Sequence, residues 1–153
     1  MDNNKSYDPG LSNNRPGHYI NRIARISARW LEPRLQPLGL AVAQVPVFGA
    51  IKSLGPLSQI ELARLLYVEQ PTMAQLLSRM ERDGLIVRTP DPKDGRSSLI
   101  NLTPQALEKA EPARECILEG SRIALNGLTT DEVETLNSLL KRVLANLEEA
   151  IDV

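Results

Sequence analysis

The sequence predicts a mainly α chain in which two short helices and a two-stranded β hairpin sit between longer helices at either end. Three observations carry this prediction. Ser58 and Glu61 form an S-x-x-E capping pattern that opens an apolar-periodic run, which stops and restarts at Pro71. The stretch DPKDGRSSLINLT (91–103) places an Asp-Gly turn between two short apolar runs. Helical periodicity then recurs on both sides, before residue 35 and after residue 104. Two short helices followed directly by a hairpin describe a winged helix-turn-helix with flanking N- and C-terminal helices.

Each element follows from its residues. The Asn, Gly and Pro content of residues 1–17 reads as a flexible N-terminal arm. From His18 to about Arg34, Ile20, Ile23, Ile26, Trp30 and Leu31 recur at helical spacing, and Pro33 followed by Pro-Leu-Gly at 37–39 should close that helix. Residues 41–54 form a second, mostly buried helix in which Pro46 fits only in the first turn. The helix opened by Ser58 gives way at Tyr67-Val68-Glu69. Beyond Pro71, Met73, Leu76, Leu77 and Met80 share one apolar face up to Gly84, a C-terminal stop.

After the hairpin, Leu107, Ala110, Ile117, Leu118 and Leu125 lie on one side of a helix over 104–126, which Pro112 should bend. Thr129 and Glu132 form a second capping box. Behind it Val133, Leu136, Leu140, Val143, Leu147 and Ile151 alternate at spacings of three and four. That seam is too apolar to leave wet. With Ile23 and the front helix around Trp30 it reads as a dimer interface, packing within the subunit being the alternative. The organisation is therefore an arm (1–17), a helical dimerisation region (18–40 and 104–153) and a winged helix-turn-helix (41–103).

Composition narrows the function classes. The 153 residues suffice for one domain with a core, and at 3% aromatic content Leu, Ile, Val and Ala must do most of the packing. Cys116 is the single cysteine, which excludes an intrachain disulfide and suits a reducing compartment. No apolar run approaches the ~18 residues of a membrane span, and the N-terminus is too polar for a signal peptide, so a cytoplasmic location is expected. Net charge is only -1, but its distribution is uneven: residues 1–40 carry six Lys/Arg against three Asp/Glu, and residues 104–153 five against ten. A nucleic-acid surface would lie in the front two thirds, with the acidic helices turned away.

The outward face of the second short helix carries Thr72, Gln75, Arg79 and Arg82, with Ser58, Gln70, Pro71 and Ser78 beside them. Gln can bridge the N6 and N7 edge of adenine, Arg can fork onto guanine, and Thr or Ser can bond phosphate or a base edge. A solvated helix face would look the same if it stood alone. The hairpin beside it changes the balance: Arg96 at a β tip suits the narrow, electronegative minor groove next to a major-groove helix. Asp94 would pair with a neighbouring arginine and hold the wing's approach angle, because an Arg–carboxylate fork is directional.

Enzyme classes fare poorly. His18 and Cys116 are the only residues of their kinds and lie about a hundred residues apart, so no metal set forms without relying on carboxylates alone. Phosphate-loop, G-x-S-x-G and dinucleotide fingerprints are missing. Cys116 reads as a small buried apolar residue. The chain should be no enzyme and need no cofactor.

DPKDGRSSLINLT resembles the D-x-x-D-x-R…LT wing signature of the MarR family of transcriptional regulators, and LSQIELARLLYVEQPTMAQLLSRMERDGLIVR looks like that family's helix-turn-helix throughout. The resemblance runs from about Ile20 to Leu147. It implies an obligate homodimer on pseudo-palindromic double-stranded DNA, with recognition helices in consecutive major grooves and wings in minor grooves. It also implies release by a small anionic aromatic, a phenolic or carboxylate effector, in a cavity here bordered by Tyr19, Arg22, Trp30 and Phe48. The family's peroxide-sensing thiol lies in the first helix, where this chain has none. Three positions depart from the pattern: Gln75 stands where arginine is frequent, Tyr67 replaces a turn glycine, and Ala41 replaces a capping threonine. The leading expectation is a ligand-released repressor. The alternatives are a ligand-independent activator or antagonist of other regulators, and a winged-helix protein-interaction module that binds no DNA.

Overall fold

The structure, a computed structural model, describes residues 15–151. The expected arm at 1–17 falls outside them up to residue 14, while Pro16 and Gly17 already belong to the first helix. Its residues divide into two compact units, one ending at Ile117 and one beginning at Leu118.

In the first unit, α1 spans Pro16–Leu35, with Arg15 in an extended conformation before Pro16. The proline lacks an N–H that the first turn could not have paired, so it opens the helix at no cost. Pro33 does not close α1 as expected: it sits inside the last turn. So near the C-terminal end it removes one bond without stopping the chain, which tightens into a 3-10 turn over Gln36–Leu38. The stop is Gly39, at a left-handed φ of 69°. A second 3-10 turn, Val42–Gln44, leads into α2 at Val45–Leu54, and Pro46 lies in its first turn as the sequence required.

The helix-turn-helix follows. α3 covers Gln59–Leu65 and α4 covers Gln70–Arg82. The capping box at α3 is complete: Ser58 Oγ accepts from the Glu61 N–H at 3.2 Å, and Glu61 Oε2 accepts from the Ser58 N–H at 2.7 Å. Between the helices Tyr67 adopts φ 51°, the one non-glycine with positive φ among the described residues. An L-residue holds that conformation at a cost of about 1 kcal/mol, so the substitution of the turn glycine is felt as backbone strain.

Gly84, at φ 72°, ends α4 and turns the chain into β2 (Ile86–Pro90), which pairs antiparallel with β3 (Ser98–Leu102). The expected two-stranded wing is extended by a short strand, β1 (Leu57–Ser58), on the other edge of β3, giving the order β1-β3-β2. Its register puts Leu57 and Arg88 opposite Ile100 from either side. A two-residue strand has no periodicity to read, and only the approach of β3 makes it one.

The core lies where α2, α3, α4 and the sheet meet: Val47, Leu62, Met73, Leu77, Met80, Leu85 and Ile100 have no measurable exposure. This closes the apolar face of α4 as expected, with Leu76 at its margin. The helix expected over 104–126 is two helices, α5 (Pro104–Glu108) and α6 (Ala110–Ala124). Pro112 breaks rather than bends it, since its ring occupies the space of the carbonyl four residues back, that of Glu108, where α5 stops.

The second unit holds the end of α6 and α7 (Thr130–Ile151). Thr129 and Glu132 cap α7 reciprocally, at 2.8 and 3.2 Å. None of its described residues is buried. No single helix among the described residues is long and apolar enough to cross a membrane.

Candidate nucleic-acid interface

α4 and the hairpin present the polar groups singled out in the sequence. Met73, Leu77 and Met80 turn inward, which fixes the opposite face of α4 outward; Thr72, Gln75, Ser78, Arg79 and Arg82 are all exposed on it. Gln70 and Pro71 stand exposed at its first turn, and Gln59 Nε2 donates to Gln70 Oε1 at 3.4 Å. Arg79 makes no ion pair among the described residues. Arg82 is tied to Asp83, Nε to Oδ1 at 2.9 Å. The same contact holds the Asp83 carboxyl below its ordinary value, the Arg82 hydrogen bond being the main cause. Ser58 differs from the others: half-buried, its hydroxyl oxygen and its N–H both serve the α3 cap.

The wing tip is built from backbone bonds. Asp91 N–H donates to Ser97 O at 3.0 Å and Ser97 N–H to Asp94 O at 2.9 Å. Asp91 Oδ1 accepts from the Lys93 N–H at 2.8 Å, and Asp94 Oδ1 from the Arg96 N–H at 3.0 Å. Both are Asx turns, in which a short acid side chain imitates a backbone carbonyl. The expected fork between Asp94 and a neighbouring arginine is therefore corrected: no arginine pairs with Asp94 among the described residues, and its carboxylate holds the backbone of Arg96 itself. The Arg96 side chain stands exposed at the tip. Arg79, Arg82, Lys93 and Arg96 place four exposed cations on these elements, with the acids Asp83 and Asp94 exposed beside them.

Two arginine contacts, an ion pair and a cation–π contact, were not expected from the sequence. Arg88, mid-strand in β2, donates from Nε to Glu81 Oε2 of α4 at 3.3 Å. Arg34 lies over the Trp30 ring, with Cζ 3.7 Å from its centroid, and donates to the Trp30 carbonyl at 2.7 Å. An i,i+4 search for Arg below Trp would have found the second; nothing local signals the first.

The four residues expected to border an effector cavity are not brought together. Tyr19 and Arg22 are exposed on α1, and Trp30 is engaged with Arg34. Phe48 lines a cavity of about 180 Å³ with Leu40, Ala41, Gln44, Val45, Gly49, Lys52, Ala110, Ala113, Arg114 and Ile117, and the other three residues are not on its walls. Its walls are apolar except for Gln44 and two cations, Lys52 and Arg114. Gln44 is buried and turns its Oε1 to the Ala41 N–H at 2.9 Å. Arg114 is shared with Glu111 and Glu115 at 3.1 and 3.6 Å. Cys116 is half-buried where a buried residue was expected, and its thiol donates to the Arg34 carbonyl at 3.9 Å.

The residues expected at a dimer interface are apolar and open to solvent. Ile23 is 59% exposed, Leu136 38%, Leu140 40%, Val143 40% and Leu147 58%. Val133 is half-buried and lines a shallow depression with Leu118, Leu125 and Leu128.

Comparison with known proteins agrees with this geometry. The pattern of the MarR family matches residues 38–97, the stretch holding the helix-turn-helix and most of the wing. The multiple antibiotic resistance protein MarR of Escherichia coli is 31% identical over 129 residues, spanning 84% of this chain and 90% of that protein. An uncharacterized HTH-type transcriptional regulator of Bacillus subtilis, YwoH, is 30% identical over 127 residues, spanning 83% and 92%. Among solved structures, a mutant of E. coli MarR complexed with operator DNA superposes with a TM-score of 0.77 at 30% identity, covering 84% of this chain and 92% of that one.

Proposed function

The chain belongs to the MarR family of transcriptional regulators, which are not enzymes, and we propose that it is a homodimeric repressor that reads a pseudo-palindromic operator in the cytoplasm. The observation that carries this reading is the pairing, within one compact unit, of an outward polar face on α4 with a hairpin tip that presents Arg96. α4 enters the major groove, where Thr72, Gln75 and Arg79 meet base edges and Arg82 meets phosphate. Gln70, Pro71 and Ser78 border the contact, and Ser58 caps the supporting helix. The wing reaches the adjacent minor groove, with Asp94 shaping the turn that carries Arg96. The operator complex of the similar E. coli protein supports this assignment.

Dimerisation joins two such units so that both recognition helices meet one duplex. Its support is the exposed seam of α7 together with Ile23 on α1. The effector is a single-ring aromatic acid. Its site is the cavity beside Phe48, about the size that an apolar pocket needs for one ring, with Lys52 or Arg114 to meet a carboxylate.

Selection of duplexes from a random-sequence pool tests the central reading. Arg96→Ala should weaken binding to the selected duplex by about 1–3 kcal/mol and flatten its salt dependence, whereas Gln75→Ala should alter sequence preference more than the salt slope. Failure of the wild-type chain to select any sequence would leave a protein-interaction module instead. For the effector, a panel of benzoates and hydroxybenzoates should raise the melting temperature and release DNA, and Phe48→Ala should abolish both responses. A panel without effect removes the ligand.

A further inference from the structure

We infer that Glu81 and Arg88 are positioning residues that set the angle at which the wing meets DNA. The inference rests on the DNA-binding reading above and concerns how its two contact elements are held in register. Glu81 lies in the last turn of α4, and Arg88 is the central residue of β2. Their contact, Nε to Oε2 at 3.3 Å, joins the recognition helix to the hairpin. Arg82–Asp83, Arg114–Glu111 and Arg114–Glu115, by contrast, link near neighbours in sequence.

The base of the hairpin is already fastened. Leu85 N–H donates to Met80 O at 2.8 Å, Thr103 N–H to Leu85 O at 3.1 Å, and Thr103 Oγ1 to Gly84 O at 2.6 Å. β3 is held further along as well, by its pairing with β1 at Leu57 and Ser58 and by the burial of Ile100. β2 is the outer strand of the sheet, and Arg88, opposite Ile100, ties that edge to α4. Two residues of strand carry the chain from Arg88 to Pro90, ~7 Å at ~3.3 Å per residue, and the turn that presents Arg96 lies beyond them. A shift of the β2 edge relative to α4 is passed on to the turn that carries Arg96, and hydrogen-bond geometry at a groove tolerates little displacement.

The sign of the charge effect separates aiming from attraction. Glu81 is an acid beside a surface that faces a polyanion, so its removal should tighten DNA binding on Coulomb grounds alone. Loss of affinity would mark loss of aim. The side chains are 29% and 47% exposed, so the pair adds little to folding stability, and the melting temperature should barely move.

The test measures binding to the duplex that the wild-type chain selects from a random-sequence pool. Glu81→Gln should weaken binding roughly three- to tenfold. Arg88→Lys should do likewise, since it keeps the charge but not the planar fork. In an Arg96→Ala background Glu81→Gln should add no further loss, because the tip it aims no longer binds; the charge exchange Glu81→Arg with Arg88→Glu should restore affinity. Tighter or unchanged binding by Glu81→Gln, or an equal loss in both backgrounds, overturns the inference. If Arg96→Ala itself has no effect, it is the wing's DNA contact that fails, and the two failures are told apart.

Discussion

Residues 15–117 and residues 118–151 use the same apolar alphabet to opposite ends. In the first unit the i, i+3, i+4 pattern of α4 is fully enclosed: Met73, Leu77 and Met80 are sealed against α2, α3 and the sheet. In the second, α7 carries an equally regular pattern, yet Leu136, Leu139, Leu140, Val143, Leu144, Leu147 and Ile151 are all exposed. Enclosing a leucine contributes roughly 1.5–3 kcal/mol, so the open seam forgoes several kcal/mol that the core around α4 gains. The first unit encloses the stripe of α4, although Ile23 of α1 stays exposed; the second encloses none of its stripe.

The largest effect should come from spoiling the proposed dimer interface on α7. Leu140→Asp places an unpaired charge on the seam, which in the dimer costs several kcal/mol and removes association and DNA binding together. Sedimentation of the wild-type chain at micromolar concentration provides the check, since a monomer there would end the comparison. Leu77→Ala tests the other side. The cavity it leaves should cost about 2–5 kcal/mol of unfolding free energy by denaturant titration, while the surviving folded protein still associates. A variant that lost association first would show the core and the seam to be one structure.

Helix entry offers a finer contrast. α7 begins with a full reciprocal side-chain cap at Thr129 and Glu132, whereas the turn before α2 has half of one: Gln44 reaches the Ala41 N–H, but Ala41 has no side-chain oxygen, and the Gln44 N–H goes to the Ala41 carbonyl at 3.0 Å. Val42 N–H goes instead to Glu32 Oε2 of α1, at 3.0 Å. Ala41→Ser should raise stability by about 1 kcal/mol in thermal melts; no gain would mean that Glu32 already completes the cap.

The smallest effect is a pH dependence at α3. The Glu61 carboxyl is held below its ordinary value, first by the Ser58 backbone N–H and then by the Ser58 side chain. A lowered folded-state pKa gives stability that is complete above the ordinary carboxylate range and lost as pH falls through the lower folded value. Glu61→Gln should therefore flatten the acid side of the stability profile and leave Arg96-dependent DNA binding at neutral pH unchanged. An acid limb identical to wild type would remove the charge from the cap.

What was legible in the sequence was local. Capping boxes at Ser58 and Thr129, the apolar stripe of α4, the placing of Pro46 and the Asp-Gly wing are each decided within a turn or two of chain, where spacing alone fixes geometry. The wing signature and the outward set from Thr72 to Arg82 belong to this class. Pro33 and Pro112 show its edge: the sequence marks a disturbance, and the position of the proline within its turn decides whether the helix continues or breaks.

Only the tertiary structure decided contacts between distant segments. The strand at Leu57–Ser58 exists because β3 lies beside it, and Arg88 finds Glu81 because Gly84 turns the chain back. The cavity beside Phe48 needs α6 as its far wall, which is why Tyr19, Arg22 and Trp30, plausible by residue type, line none of it. Asp94 had two possible partners, a distant guanidinium or the N–H two residues on. The near one holds it, because an Asx turn closes without ordering a long side chain.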